Sequence, residues 1–315
     1  MKSALKFLPI LLLLTAVGCR RDNYVAITGY AQGGMYSVKV NLKGMDLRKE
    51  TLRDSVEAFL TLIDTTFSGY NRNSILSRRN AGDDVAVNAP FRELLALSEG
   101  FQEKSEGAFN VYAAPVFDAW GFGFTPDSLP PAPKIREALE ATSRREKLNF
   151  NAIAQGYTSD FIARFLRRHG AEDYLVDIGE ISCRGLNPSR KGWSIGIDTP
   201  VDGNNIPGAS LSGVWTSDGG EYGLVTSGNY RKFYIRDGKK YAHTIDPRTG
   251  YPVDHNLLCA TVLAPDATTA DALATWFMVV GFENARDIVE DTPGVEACLI
   301  SSDGTWTSEG FQLKM

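Results

Sequence analysis

HTIDPRTG, at residues 243–250, is the most distinctive stretch of this sequence. It brings an imidazole, a carboxylate and a guanidinium into one short loop. Strand-like runs at 230–235 and 239–243 precede the loop, and the Asp-Gly pair at 237–238 is a typical hairpin turn. The Asp-Pro and Thr-Gly pairs favour a rigid turn. The loop is interpreted either as a structural turn, held by Asp246 and the neighbouring arginine, or as a reactive loop.

A second stretch, TTADALAT at residues 268–275, predicts the start of the last long helix. Asp271 and Thr275 are four residues apart, so their oxygens share one helix face. A carboxylate beside a hydroxyl suits a hard cation such as Mg²⁺ or Ca²⁺ and does not suit zinc. In the structural alternative, Thr268 caps the helix and Asp271 is stabilised by the helix dipole. The spacing alone favours that structural alternative.

A third stretch, NFNAIAQGY at residues 149–157, places small residues and a glycine at a predicted helix start. Free backbone amides at a helix N-terminus attract phosphate groups. The same small residues also suit close packing of two helices, and both interpretations remain open.

The remaining chain mixes helical and strand-like patterns. Amphipathic stripes predict helices at 48–67 and 155–169, the latter ending at Gly170, with a further helix near 90–104 and a short one after the proline-rich stretch 126–133. Strand-like runs occupy residues 25–27, 35–40 and 174–178, short strands and turns fill 186–260, and strand and turn follow the last helix. These patterns favour a single α+β domain with a largely antiparallel sheet over a doubly wound fold.

Composition excludes several classes of protein. The net charge of −5, with both signs interspersed, argues against a nucleic-acid-binding protein. No GxGxxG motif or P-loop is present, so neither of those nucleotide sites is supported. Beyond residue 19 the cysteines are Cys183, Cys259 and Cys298, which lack CxxC spacing and therefore predict neither a disulfide framework nor a zinc site. We expect buried, inert thiols at Cys259 and Cys298.

The first 18 residues have the features of an export signal. Lys2 and Lys6 precede an apolar run at 8–17, which is shorter than the ~20 residues that a membrane-spanning helix needs. The AVGC sequence that ends at Cys19 resembles a bacterial lipobox, in which the cysteine is lipidated and becomes the first residue of the mature chain. The alternative is an ordinary cleaved signal followed by a chance cysteine.

The chain is thus divided into a signal peptide (1–18), a lipidated tether (19–25) and one domain (26–315). Lipid on Cys19 would be the only membrane anchor. This division predicts a protein held at the cell membrane or the outer membrane and facing the periplasm.

Taken together in order, the motifs resemble the ApbE family, the FAD:protein FMN transferases. The resemblance spans essentially all of the mature chain, and HxIDPRTG followed by ADALAT is its most specific part. The matching segments are GYAQGGMYSV (29–38), IDTTFSGYNRNSILSRRN (63–80), FNVYAAPVFDAWGFG (109–123), LNFNAIAQGYTSD (148–160), LVDIGEISCRG (175–185), TSGNY (226–230), HTIDPRTGYP (243–252) and ADALATWFMVVG (270–281).

The resemblance implies an FAD cleft in an ApbE-like domain and assigns roles to individual positions. A metal ion, Mg²⁺ or alternatively Ca²⁺ or Mn²⁺, would be held by the carbonyl of Ala152 and the side chains of Asp271 and Thr275. His243 and Asp246 would lie at the reacting end. The positions implied to contact FAD are Gln32, Trp120, Gly121, Phe122, Asn149, Gln155 and Ile245.

The chain departs from the family pattern at four places. Gly34 stands where threonine is common, and a single Gly179 stands where two glycines are usual. Asn149 replaces an aspartate and Gln155 replaces a lysine, so one charge of each sign is lost. These departures put the flavin affinity and the substrate range in doubt more than the fold.

The implied reaction cleaves FAD, joins FMN through a phosphoester bond to a threonine of an exported or membrane redox protein, and releases AMP. Either His243 or Asp246 would serve as the base for the threonine hydroxyl. Two alternatives remain: an FAD pyrophosphatase that gives FMN and AMP, and a non-catalytic periplasmic flavin-binding lipoprotein. The metal and base residues argue against the binding protein, which needs neither.

Overall fold

The computed structural model describes residues 22–123, 129–204, 206, 208–230 and 233–314. The predicted signal peptide and Cys19 lie outside these ranges. The helices are α1 (Lys49–Phe67), α2 (Ile75–Asn80), α3 (Ala89–Lys104), α4 (Ala114–Trp120), α5 (Ala132–Ser143), α6 (Ala154–Arg168), α7 (Ala267–Val280) and α8 (Phe282–Glu290). The strands are β1 (Tyr24–Ala31), β2 (Gly34–Asn41), β3 (Tyr174–Asp177), β4 (Ile181–Arg184), β5 (Ser194–Asp198), β6 (Leu211–Thr216), β7 (Tyr222–Gly228), β8 (Phe233–Arg236), β9 (Lys239–Ala242), β10 (Ile245–Asp246), β11 (Tyr251–Pro252), β12 (Leu257–Ala264), β13 (Glu296–Ser301), β14 (Gly304–Thr307) and β15 (Leu313–Lys314).

An eight-stranded sheet in the order β1-β2-β3-β4-β7-β12-β13-β14 forms the centre of the domain. Helices α1, α6, α7 and α8 pack on one face of this sheet. The smaller sheet β15-β6-β5 packs on the other face through a cluster that contains Trp193 and Trp215. The pairings between described strands are all antiparallel. The predicted α+β domain with a largely antiparallel sheet is confirmed.

Helix α1 illustrates how the sequence pattern becomes packing. Leu52, Val56, Leu60 and Ile63 recur every three or four residues, and all four are buried. This is the amphipathic stripe expected of a helix with one face on the core. Among the described residues, no helix has the length and apolar character required to span a membrane.

Helices α6 and α7 approach each other closely at Gly156. A Cβ at this position would lie 2.3 Å from the carbonyl oxygen of Ala267 and 2.8 Å from Cβ of Asp271. Only glycine permits this approach of the two backbones. The close-packing interpretation of the small residues in NFNAIAQGY is therefore correct for Gly156.

Each of these two helices also caps the other with a carboxylate. Asp271 of α7 accepts a hydrogen bond from the amide of Gly156, in the first turn of α6, at 3.0 Å. Asp160 of α6 accepts from the amides of Ala267 and Thr268, the first two residues of α7, at 3.0 and 2.7 Å. Carboxylates at helix N-termini satisfy amides that have no partner within the helix.

The start of α7 differs from the sequence prediction that Thr268 caps it. The capping residue is Asp266, whose carboxylate accepts from the amide of Thr269 at 2.7 Å. Thr268 lies inside the first turn, and its hydroxyl donates to Asp160 at 2.5 Å. A local pattern could not reveal a partner more than one hundred residues away in sequence.

Two boundaries also differ from the predictions. Strand β1 begins at Tyr24, inside the predicted tether, because the Tyr24 hydroxyl donates to the carbonyl of Leu186 at 2.8 Å and its ring packs on Trp193. The prediction of only strand and turn after the last long helix is wrong, because α8 follows directly and buries Ala285 and Val289.

The three cysteines that the structure describes are buried between the two sheets: Cys183, Cys259 and Cys298. Burial raises the pKa of Cys183 to about 12 and that of Cys298 to about 11. Because the thiolate is the reactive form, these two thiols are inert at neutral pH. The predicted burial is confirmed.

The contact at Gly156 yields a stability prediction. We expect Gly156→Ala to lower the free energy of unfolding by about 1–3 kcal/mol, because the added methyl group overlaps backbone that cannot move freely. Gly100 in α3 is the matched control: nothing lies within 4 Å of its Cβ position, so Gly100→Ala should stabilise by about 0.5–1 kcal/mol. Denaturant titration of both variants measures the difference. A Gly156→Ala variant as stable as Gly100→Ala would show that the two helices tolerate separation.

Candidate active site

A cavity of about 220 Å³ lies where the distinctive loops meet the side of α7. Its wall combines segments that are far apart in sequence, at 108–110, 149–152 and 243–247, together with Ser227 at the end of β7. Phe117, Phe122, Thr275, Met278 and Val279 complete the lining. The cavity therefore unites parts of the three stretches that the sequence singled out.

The HTIDPRTG loop is a rigid turn built around Asp246. The backbone carbonyl of Asp246 accepts from the amides of Thr249 and Gly250 at 3.2 and 2.8 Å. Its carboxylate accepts from the backbone amide, Nε and Nη2 of Arg248, each at 2.9 Å. Asp246 is therefore committed to the turn, as the structural interpretation of the loop predicts, and it is not among the cavity-lining residues.

His243 has a different position at the start of the same loop. Its imidazole is half-buried and lines the cavity, with the ring of Phe122 6.4 Å away between centroids. The structure thus separates the two residues that were candidates for the base: His243 faces the cavity, and Asp246 faces Arg248.

Trp120 supports the loop from behind and does not line the cavity. Its indole Nε1 donates to the carbonyl of Gly250 at 2.7 Å, and the side chain is buried. Tyr241 and Tyr251 pack against it at centroid distances of 5.8 and 6.0 Å. A direct flavin contact by Trp120, implied by the family resemblance, is therefore not what its position supports.

Of the other residues implied to contact FAD, Phe122, Asn149 and Ile245 line the cavity. Gly121 caps the C-terminus of α4 with a φ of 79° and does not line it.

Gln32 and Gln155 lie at the start of α6: Gln155 is the second residue of that helix, and Gln32 contacts its first turns. The side-chain amide of Gln32 donates to the hydroxyl of Thr158 at 2.8 Å, and that of Gln155 donates to the carbonyl of Ile178 at 3.2 Å. Gln32 has a φ of 52°, because it forms the two-residue turn between β1 and β2 with Gly33, whose φ is 84°. Neither glutamine lines the cavity.

The proposed metal ligands lie close together in the fold. Ala152 and Thr275 both line the cavity, and Asp271 is one helical turn before Thr275. Asp271 is 4% exposed. Burial raises the pKa of its carboxyl, the nearby charge of Asp160 adds to the rise, and the hydrogen bond from Gly156 opposes it.

This donor set fits a hard divalent cation. Within the described chain, Asp271 forms no ion pair with a lysine, arginine or histidine, although a buried carboxylate is costly unless it is paired or binds a metal. A carboxylate, a hydroxyl and a backbone carbonyl are oxygen donors of the kind that Mg²⁺, Ca²⁺ and Mn²⁺ take. The described residues contain no group of three His, Cys, Asp or Glu side chains arranged for a metal.

Sequence reasoning missed several lining residues. Asn110, Asn151 and Ser227 add polar groups to the wall, and Phe109 and Met278 add apolar surface. All five lie within motif segments already recognised, but a neutral side chain gave no chemical signal by which to select it. Among the lining residues that the structure describes, His243 is the only titratable one, and none is a lysine or an arginine.

Comparisons with known proteins agree with this geometry. The model of the ApbE family matches residues 32–299. The chain is 29% identical to the FAD:protein FMN transferase of Haemophilus influenzae over 95% of this chain and 93% of that protein. It is 31% identical to the FAD:protein FMN transferase of Klebsiella pneumoniae over 87% of this chain and 85% of that protein.

A solved structure shows the same fold. The flavinyl transferase ApbE of Pseudomonas stutzeri superposes with a TM-score of 0.79 at 31% identity, covering 92% of this chain and 96% of the other. The segments that form the cavity lie within the residues 32–299 that the family model matches. The chain therefore belongs to the ApbE family.

Proposed function

We propose that this protein is an FAD:protein FMN transferase, which cleaves FAD and attaches FMN to a threonine of an exported or membrane redox protein. The observation that carries the proposal is the cavity that joins His243, Asn149 and Thr275 from three distant segments. The names of the curated relatives give the same reaction type.

The charges of the cavity support a metal-dependent reaction. The pyrophosphate of FAD carries two negative charges, yet the described residues of the wall include no cationic side chain. A divalent cation held by Asp271, Thr275 and the Ala152 carbonyl would neutralise the pyrophosphate and stabilise the leaving phosphate. Mg²⁺ is the proposed ion, with Ca²⁺ or Mn²⁺ as alternatives.

The protein's own residues supply positioning and proton transfer. The acceptor's threonine oxygen forms a bond to the FMN-side phosphorus, and the bond from that phosphorus to the AMP oxygen breaks. His243 takes the hydroxyl proton, because it is the titratable side chain among the described residues of the cavity wall. Asp246 is engaged by Arg248 and acts by holding the loop that carries His243.

The alternatives make different use of the same cavity. A pyrophosphatase would place water where the threonine hydroxyl attacks, and a binding protein would need no base. A docked acceptor places its hydroxyl at a high effective concentration, which loosely held water lacks. The position of His243 at the cavity therefore favours the transferase over the binding protein, and the acceptor dependence of the reaction separates transferase from pyrophosphatase.

The first prediction concerns the attacking group. AMP release from FAD should be slow alone and faster with a purified threonine-bearing acceptor domain, which should gain covalent flavin visible by mass spectrometry. Mutating the acceptor threonine to alanine should abolish labelling. We expect His243→Ala to slow labelling by ~10²–10⁴, the usual loss for a general base. His169→Ala, at a half-buried histidine that is paired with Asp46 and does not line the cavity, is the control and should retain full activity.

Other outcomes would indicate one of the two alternative functions. Equal rates of AMP and free FMN production with and without acceptor would indicate a pyrophosphatase. FAD binding without AMP release, for every metal and acceptor tested, would indicate a binding protein.

The second prediction concerns the metal. FAD binding should weaken ~10–100-fold in chelator, whereas riboflavin, which lacks phosphate, should bind equally with and without metal. Asp271→Asn keeps an acceptor for the Gly156 amide but loses the charge, and it should make FAD binding insensitive to metal. Flavin fluorescence titration measures all of these affinities. Metal-independent FAD binding by the unaltered protein would contradict the proposed site.

We further propose that the mature protein is a lipoprotein anchored through Cys19 and facing the periplasm. Cys19→Ala should move the protein from the membrane fraction to the soluble fraction, because lipid would be the only anchor. Cys298→Ala, at a buried thiol of the domain, is the matched control and should remain in the membrane fraction. Immunoblots of fractionated cells measure the distribution. Unchanged membrane association of Cys19→Ala would disprove the lipid anchor.

A further inference from the structure

We propose that Asp160, which lies outside the cavity, is a positioning residue that sets the affinity of the site for its divalent cation. The proposal rests on the metal site described above. It assigns to Asp160 and its partner Thr268 the task of fixing helix α7 against α6 in the register that the metal-binding side chains require.

Asp160 is directed at the start of α7. It is 7% exposed and accepts three hydrogen bonds: from the Ala267 amide at 3.0 Å, the Thr268 amide at 2.7 Å and the Thr268 hydroxyl at 2.5 Å. The first turn of α7 is thereby tied to one side chain of another helix. Asp271 follows Ala267 by four residues, and Thr275 follows Asp271 by four more, so all three lie along one side of α7.

Capping of α7 alone does not account for Asp160. The local carboxylate of Asp266 already caps the helix by accepting from Thr269. Asp160 satisfies two further amides of the first turn, those of Ala267 and Thr268, which a local side chain could also satisfy. Because this carboxylate belongs to α6, the same hydrogen bonds also connect the two helices.

That connection has two points, spaced by one turn on each helix. Asp160 holds Ala267, and Gly156, four residues earlier on α6, donates to Asp271. Two contacts one turn apart fix both the sliding and the rotation of α7 relative to α6. The segment that precedes α6 carries Ala152, so the same connection sets the distance from the Ala152 carbonyl to Asp271 and Thr275.

Residues that orient metal ligands without touching the metal commonly change metal affinity ~10–100-fold when they are replaced. Thr268→Val removes only the hydroxyl that donates to Asp160 and preserves the side-chain shape. Thr268→Ser restores that hydroxyl. Thr269→Val is the control at the next position, because the Thr269 hydroxyl forms no hydrogen bond among the residues described.

The test is a titration of each protein variant with Mn²⁺ alone, monitored by electron paramagnetic resonance, at a temperature where all variants are folded. We expect Thr268→Val to weaken Mn²⁺ binding ~10–100-fold, and Thr268→Ser and Thr269→Val to bind as the unaltered protein does. Asp160→Asn, which keeps one acceptor oxygen, should also weaken binding and provides the same test if Thr268→Val does not fold.

A purely structural role gives a different result. In that case Thr268→Val and Asp160→Asn lower the melting temperature, but the folded variants bind Mn²⁺ with unaltered affinity, and the proposal is overturned. If the unaltered protein binds no Mn²⁺, the metal site itself is wrong, and this inference is wrong with it. The two failures are distinguished by the behaviour of the unaltered protein.

Discussion

The contact of α6 with α7 at Gly156 is the constraint on which the rest of the site depends. With any side chain at Gly156, the carbonyl of Ala267 would have to move away. The two helices would separate, and the carboxylates of Asp160 and Asp271 would lose the amides they now satisfy. Packing and polar satisfaction are thus coupled here, because buried carboxylates are tolerated only while these hydrogen bonds persist.

The same contact explains how a cavity arises at the side of a largely antiparallel domain. Helix α7 packs on β7 and β12 of the central sheet, which fixes its depth. Helix α6 then places the segment around Ala152 beside α7, and the turn containing His243 closes the space from a third direction.

Much of the fold follows from sequence pattern. Helices α1 and α6 show clear apolar stripes in their sequences. Asp237-Gly238 forms the predicted hairpin turn, with φ values of 51° and 75°. The candidate site was only partly predictable. The three stretches were identified, but a pattern in neighbouring residues does not show that Asp160 bonds to Thr268 or that Trp120 bonds to Gly250. Both bonds join positions more than one hundred residues apart, and each changes the role that a side chain is assigned.

The structure shows HTIDPRTG as a structural turn around Asp246, and it places His243, the proposed base, at the cavity. The carboxylate of Asp246 accepts hydrogen bonds from Arg248, and its carbonyl accepts from the amides of Thr249 and Gly250. These bonds make the loop a turn. The turn places His243 at the cavity, and Trp120, which packs against Tyr241 and Tyr251, donates a hydrogen bond to Gly250 at the end of the same loop. A general base gains its efficiency from a fixed position relative to the attacking hydroxyl. In the proposed reaction, the structural turn holds His243 in position, and Asp246, engaged with Arg248, contributes without touching the substrate.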